Sequence, residues 1–222
     1  MTTVVDRALR PIKTRTLAPL TRALRRVPPG AITGAGLAVG VAAAAAAAQG
    51  AFSLALGLWL ANRLLDGLDG EVARAAVAGE TRQSDRGGYL DLMADLTVYA
   101  AVTLGVAAGA TGALGGEGLA PAAATWALAA VLLASYYVNL GSYTVLAALL
   151  EKQDRGAGQR GDPTSIVMPA GLIEGAETIV LFVLMLALPH LAPVWFGLGA
   201  FLVGVTALQR VVWSARTLQA RA

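Results

Sequence analysis

NRLLDGLDGEVARAAVAGETRQSDRGGYLDLMAD, residues 62–95, is an acidic stretch in a chain that is otherwise rich in apolar residues. It contains two pairs of aspartates: Asp66 with Asp69, and Asp91 with Asp95. A carboxylate at membrane depth costs several kcal/mol unless it has a partner or faces water, so intramembrane acids are usually functional. We therefore expect these four side chains to form the functional site.

The spacing of these aspartates predicts two helices that face each other. Within each pair the residues are three or four apart, so both carboxylates lie on one helical face, one turn apart. Small residues continue both stripes and allow close approach of a helix or a ligand: Gly70, Ala73 and Gly87. Four carboxylates that close cannot all stay ionised without cations, and Mg²⁺ or Ca²⁺ would accept such oxygen ligands. Arg74 adds a planar, permanently charged group that suits a phosphate.

The composition indicates a polytopic membrane protein. Of 222 residues, 56% are hydrophobic and only 14% are charged, and the mean hydropathy is +0.63. Cysteine is absent and His190 is the single histidine, which argues against thiolate or histidine metal sites and a Ser–His pair. The pI of about 9.6 is explained by basic cytoplasmic loops, so we expect no nucleic-acid partner.

Six apolar stretches predict an all-α fold with six transmembrane helices, which we assign to one domain over residues 31–222. Their ranges are 31–49, 52–74, 87–109, 122–149, 166–188 and 194–214. The first includes a run of alanines, which suits a closely packed helix. Residues 1–30 alternate basic and apolar residues and predict an amphipathic helix on the cytoplasmic membrane surface; a solvated basic arm is the alternative.

The distribution of Lys and Arg predicts that both termini lie in the cytoplasm. Basic residues fall on one side of such a topology, whereas the opposite loops, near Gly50 and at 110–121 and 189–193, contain no Lys or Arg. This orientation places the acidic stretch at the cytoplasmic face of the membrane.

The order Asp66-x-x-Asp69-Gly70-x-x-Ala73-Arg74, followed by Gly87-x-x-x-Asp91-x-x-x-Asp95, resembles the signature of the CDP-alcohol phosphotransferases. All eight signature residues are present. Residues 62–65 and 175–179 are similar to an uncharacterised bacterial inner-membrane branch of that family. The twelve residues 75–86 are more than the family usually has there, and we interpret the excess as an insertion in a polar loop.

The resemblance implies a membrane enzyme of phospholipid biosynthesis. Such an enzyme moves a phosphatidyl group from a CDP-lipid, such as CDP-diacylglycerol, to a small alcohol and releases CMP. Glycerol 3-phosphate, inositol or its phosphate, serine and glycerol all remain open as the acceptor. The resemblance also implies location in the bacterial inner membrane and a homodimer. We place the dimer contact on the third and fourth spans, where small residues at 101–110 support it.

The resemblance also assigns roles to individual residues. Asp66, Asp69 and Asp91 would bind metal, and Asp95 would complete the metal site and act as the base, with Asp91 and Asp95 forming the catalytic pair. Two Mg²⁺ (or Mn²⁺) ions about 4 Å apart would stabilise the attacking and leaving oxygens. The CDP-lipid would contact Asp66, Gly70, Ala73, Arg74, Ser84 and Gly87, although Ser84 could equally be a loop cap.

Acceptor residues are less defined by the sequence. Glu174 and Glu177, three apart in the fifth span, either help to bind the acceptor or form a cap or interhelical hydrogen bond. Arg82 and Arg86 could hold an acceptor phosphate.

Three other interpretations compete with the enzyme. The aspartates could form a structural salt-bridge network with arginines 63, 74 and 86. A proton- or cation-coupled transporter would spread its acids through the membrane depth, whereas here they cluster at one end. A non-catalytic lipid-binding homologue would keep the signature without turnover.

Overall fold

The computed structural model describes residues 18–23, 27–76, 85–160, 167, 169 and 171–219. Its helices are α1 (Pro29–Ala48), α2 (Phe52–Ala76), α3 (Asp85–Thr111), α4 (Ala122–Lys152), α5 (Ala157–Arg160), α6 (Gly175–Ala187), a 3₁₀ turn (Pro189–Leu191) and α7 (Ala192–Gln219). Residues 18–23 are also helical, and most of the predicted surface helix lies outside the described residues. No strand occurs in the part of the chain that the structure describes, so the predicted all-α class is confirmed.

Four helices are long and apolar enough to cross a membrane, which makes this a multi-pass membrane protein: Gly30–Ala48, Arg86–Thr111, Ala122–Lys152 and Pro189–Leu218. Helix α2 is 25 residues long but carries the charged residues of the acidic stretch. Helix α6 is a shorter apolar helix of 13 residues. Each predicted span therefore contains a helix. Within the described residues, only four of these helices are both long enough and apolar enough to cross a membrane.

The predicted start of the fifth span is wrong. The sequence places it at residue 166, but the helix begins at Gly175, and residues 171–174 form a non-helical turn. Pro169 disfavours helical geometry in the residue before it, and Gly171 favours a turn. At the other predicted spans, the helix ends differ from the expected positions by a few residues.

Helix α1 packs directly on α2 and α3, and its alanines allow this close approach. Ala43 and Ala47 are fully buried. A Cβ atom on Gly109 would overlap the carbonyl of Ala47, and one on Gly105 would overlap the carbonyl of Ala44. The alanine run is thus a close-packed helix, as predicted. Gly105 and Gly109, two of the small residues at 101–110, thus face α1.

The core beneath the acidic stretch is aromatic. Trp59 of α2 is fully buried and stacks on Phe182 of α6, with ring centroids 4.6 Å apart. Tyr99 of α3 lies against both rings, at 5.8 Å from Trp59 and 5.2 Å from Phe182. These contacts join α2, α3 and α6 just below the acidic side chains, while α4 packs mainly on α7.

Candidate active site

The four aspartates line a single cleft between α2 and α3, together with Thr33 and Asn62: Asp66, Asp69, Asp91 and Asp95. Helix α2 presents the first pair near its carboxyl end, and α3 presents the second pair near its amino end. The predicted convergence of the two pairs is therefore present in the structure. The space inside is small, about 10 Å³ for the centre of a water-sized sphere, which is room for about one water molecule.

Side chains on neighbouring helices hold carboxylates of the cleft in place. Asp69 is 6% exposed and accepts a hydrogen bond of 2.9 Å from Thr33 Oγ1 on α1. Asp95 Oδ1 accepts a bond of 2.8 Å from Arg63 Nη2 on α2. Asp66 Oδ2 lies 3.8 Å from Arg63 Nη1. The two acidic pairs are thus connected through one arginine.

Arg63 is held on several sides. Its side chain is 7% exposed, and its Nε and Nη2 donate to Asn62 Oδ1 at 2.9 and 2.6 Å. Its Nη1 donates to the Tyr99 hydroxyl at 3.0 Å. The guanidinium carbon lies 4.8 Å from the Trp59 ring centroid and 5.1 Å from that of Tyr99, which are cation–π distances. Asn62 itself donates to the Gly36 carbonyl at 2.8 Å, so α1 also supports this arginine.

The donor set of the cleft fits a hard divalent cation. Its side-chain ligands are carboxylate, hydroxyl and amide oxygens, which Mg²⁺, Mn²⁺ and Ca²⁺ accept. However, no group of three or more His, Cys, Asp or Glu is already arranged to hold a metal ion within the residues described above.

Of the residues predicted to contact the nucleotide, Gly70 and Gly87 lie at the same end of the α2–α3 pair. Gly70 directly follows Asp69 on α2, and Gly87 lies one turn before Asp91 on exposed α3 surface, beside the exposed Arg86. The side chains of Ala73 and Arg74, and all of Arg82 and Ser84, lie outside the described residues. Their predicted roles stay predictions.

Glu174 and Glu177 form a helix cap in the structure. Glu174 Oε1 accepts from the Gly171 N–H at 2.9 Å, and Glu177 Oε2 accepts from the Glu174 N–H at 3.1 Å. The Glu174 side chain in turn accepts from the Glu177 N–H, and this bond together with the one from Glu174 N–H to Glu177 forms a capping box at the start of α6. Neither glutamate lines the acidic cleft. The contacts match the capping alternative, and the acceptor role stays a prediction.

Sequence reasoning missed the buried role of Arg210, which it counted among cytoplasmic basic residues. Arg210 is 4% exposed and donates to the Pro169 carbonyl at 2.9 Å and to Asn139 Oδ1 at 3.0 Å. It also lies over the Tyr143 ring at 5.1 Å. Arg210 thus links α7 to α4 and to the turn before α6. Because it is buried and has partners inside the protein, it does not indicate which side of the membrane is cytoplasmic. Its place among apolar residues of the last span was the available signal.

Comparison with known proteins identifies the family. The family model for CDP-alcohol phosphatidyltransferase matches residues 26–213. The chain is 34% identical over 223 residues to the inner membrane protein YnjF of Escherichia coli (strain K12), and the match covers 95% of each chain.

Solved structures of phosphatidylinositol phosphate synthase (PgsA1) from Mycobacterium tuberculosis share the fold. The structure with CDP-DAG bound has a TM-score of 0.67 at 22% identity and covers 90% of this chain and 94% of its own. The structure in complex with manganese and citrate has the same score and identity and covers 89% and 88%. Because the family model spans most of the chain and the signature aspartates line one cleft, this protein belongs to the CDP-alcohol phosphatidyltransferase family and is a membrane transferase of that class.

Proposed function

We propose that the protein transfers a phosphatidyl group from a CDP-lipid, such as CDP-diacylglycerol, to a small alcohol and releases CMP. The observation that carries the proposal is the cleft in which α2 and α3 bring together all four signature aspartates. The Mycobacterium tuberculosis synthase, which shares the fold, has been solved with CDP-DAG bound, and this supports a CDP-lipid as the donor.

The cleft would hold Mg²⁺ or Mn²⁺ through Asp66, Asp69, Asp91 and Asp95. Its oxygen donors suit these ions, and the Mycobacterium tuberculosis synthase has been solved in complex with manganese and citrate. Bound cations would supply charge neutralisation for the leaving phosphate. The sequence resemblance implies two ions, whereas the space in the cleft suits about one water-sized particle before the carboxylates rearrange.

The proposed reaction assigns separate roles to residues of the cleft. The acceptor oxygen attacks the lipid-side phosphorus, the bond from that phosphorus to the oxygen bridging to CMP breaks, and CMP leaves with the bonding electron pair. Asp95 is the candidate to receive the proton of the acceptor hydroxyl, since it lines the cleft together with the other three aspartates. Thr33 holds Asp69 from α1, so one carboxylate of the site has a fixed orientation.

The nucleotide would lie beside the carboxyl end of α2. Gly70 and Ala73 leave space for it, Arg74 provides a fork for its phosphates, and Ser84 and Gly87 contribute from the other side of the loop. Glu174, Glu177, Arg82 and Arg86 are the candidates for acceptor selection.

The remaining proposals concern the place of the enzyme in the cell. Both termini and the cleft face the cytoplasm of the bacterial inner membrane, which agrees with the name of the Escherichia coli relative. Residues 1–30 form a surface helix before the transmembrane domain at 31–222. The homodimer uses α3 and α4.

The test is CMP release from CDP-diacylglycerol by the purified protein in lipid, with each candidate acceptor in turn and with Mg²⁺ or excess chelator. We expect release with one acceptor class and loss of turnover on verified metal removal. CDP-lipid binding without CMP release for any acceptor would instead identify a non-catalytic lipid-binding homologue. A transporter would show neither CDP-lipid binding nor CMP release. The four aspartates cluster at the carboxyl end of α2 and the amino end of α3, which argues against a transporter.

A further inference from the structure

Arg63 places a permanent positive charge beside the acidic cleft. It pairs with Asp95 of α3 at 2.8 Å and approaches Asp66 of α2 at 3.8 Å, with only 7% of its side chain exposed. A guanidinium keeps its charge under all ordinary conditions. Arg63 therefore offsets part of the repulsion between these carboxylates.

The position of this guanidinium is fixed by contacts on other sides. Asn62 receives two of its N–H bonds, the Tyr99 hydroxyl receives a third, and the Trp59 and Tyr99 rings lie against its carbon. Because three side chains other than the aspartates hold Arg63, its approach to Asp95 is built into the packing of α2 on α3 and does not depend on a chance surface rotamer.

The guanidinium contacts one carboxylate from each acidic pair. Its Nη2 donates to Asp95 Oδ1, so a cation that bound this oxygen would have to share it with Arg63 or take its place. The cleft has room for about one water-sized particle, and no group of three or more acidic side chains in the described chain is arranged to hold a metal ion. A divalent cation at Asp95 would therefore compete with Arg63 for that carboxylate, and their like charges would repel.

We propose that Arg63 is a built-in counter-cation of the cleft: it holds Asp95 when no metal is bound, and a divalent cation must displace it from that carboxylate. Arg63 is then a positioning residue that keeps the acidic pairs together before the metal binds. The inference rests on the proposed function only in that it assumes a divalent cation binds to these aspartates.

The experiment measures Mn²⁺ binding to the purified full chain in detergent by electron paramagnetic resonance, without substrate or turnover. Arg63→Gln removes the competing charge and should bind Mn²⁺ about tenfold more tightly than wild type, which corresponds to ~1.4 kcal/mol. Arg63→Lys keeps a charge but loses the fork that joins Asn62, Tyr99 and Asp95, so its affinity should lie between these two. Arg216→Gln removes an exposed arginine of α7 and should leave binding unchanged.

Thermal unfolding supplies a second readout. Without metal, Arg63→Gln should unfold at a lower temperature than wild type, since carboxylate repulsion is no longer offset, and added Mn²⁺ should raise its Tm more than that of wild type. A merely structural arginine would lower the Tm equally with and without Mn²⁺.

Unchanged or weaker Mn²⁺ binding in Arg63→Gln overturns the proposal, because Arg63 would then support the metal-bound site. If Arg63→Gln does not fold, Arg63→Lys decides: tighter binding than wild type supports competition, and equal or weaker binding contradicts it. Absence of Mn²⁺ binding in wild type as well would overturn the metal site of the proposed function together with this inference. Equal binding across all variants would overturn this inference alone.

Discussion

At the cleft, individual polar side chains are held by specific partners on other helices. Thr33 reaches Asp69 from 36 residues earlier, and Arg63 reaches Asp95 across 32 residues. Sequence spacing could predict that the two aspartates of each pair share a face, because that depends on helical periodicity alone. It could not predict these partners, because they depend on how α1, α2 and α3 pack against one another.

Thr33→Val should destabilise the protein by about 1–3 kcal/mol, because the buried Asp69 carboxylate loses a hydrogen-bond donor. The matched control is Thr97→Val. Thr97 is exposed and its hydroxyl bonds only the Met93 carbonyl of its own helix, so its removal should change stability by less than about 0.5 kcal/mol. Thermal unfolding of both variants without added metal provides the measurement. Equal unfolding temperatures for the two variants would show that the Thr33–Asp69 bond does not stabilise the cleft.

Among the helices, α1 packs closely on α3, and Gly109 lies at this contact. Gly109→Ala would drive a Cβ into the Ala47 carbonyl and should cost about 1–3 kcal/mol as the helices separate. Gly57→Ala is the control, since a Cβ there meets nothing within 4 Å and alanine favours the helix. In detergent, Gly109→Ala should be much less stable to denaturation than wild type, and Gly57→Ala should be at least as stable as wild type. A Gly109→Ala variant as stable as Gly57→Ala would contradict this packing.

At the start of α6, Glu174 and Glu177 act either as a helix cap alone or also as acceptor-binding residues, and mutation can separate these two roles. Glu177→Ala removes the acceptor for the Glu174 N–H and should cost about 0.5–2 kcal/mol of stability. Glu151→Ala, an exposed change near the end of α4, serves as the control. If the pair only caps the helix, the acceptor KM per folded molecule stays at the wild-type value in Glu174→Gln and Glu177→Gln. A raised acceptor KM with an unchanged CDP-lipid KM would instead establish the acceptor role.

Sequence reasoning made two errors at this level. Hydropathy averages over a window, so it extended the fifth span through Pro169 and Gly171, where the backbone turns. The count of basic residues likewise placed Arg210 on the cytoplasmic side, although Asn139 and the Pro169 carbonyl satisfy it inside the protein. A buried charge with partners cannot be told from a cytoplasmic one by hydropathy alone.

For the whole molecule, the apolar helices make a membrane body with the acidic cleft near one end. Large apolar side chains remain exposed along the spans, such as Leu54, Phe201 and Leu208, as expected for surfaces that face lipid. Fold class and the convergence of the aspartates followed from the sequence because hydropathy and motif spacing encode them. The orientation in the membrane follows only from the distribution of basic residues, so it requires a direct test.

The absence of cysteine makes that test simple, because each introduced cysteine is the only thiol. Gly116→Cys lies in the exposed loop between α3 and α4, and Gln153→Cys lies just after α4, also exposed. With both termini in the cytoplasm, a membrane-impermeant maleimide should label Gly116→Cys in cells whose outer membrane is permeable to it. It should label Gln153→Cys only after the inner membrane is opened. The reverse pattern would place the cleft on the outer face of that membrane.

The role of the acidic cleft is tested most directly by CMP release from CDP-diacylglycerol in wild type, Asp95→Asn and Asp154→Asn, each measured beside CDP-lipid binding. Asparagine keeps the shape of Asp95 but cannot take the hydroxyl proton, so turnover should fall about 10²–10⁴-fold while CDP-lipid still binds. Asp154→Asn makes the same change at an exposed residue after α4 and should retain full turnover. CMP release at the wild-type rate from Asp95→Asn would contradict the assignment of catalysis to this cleft.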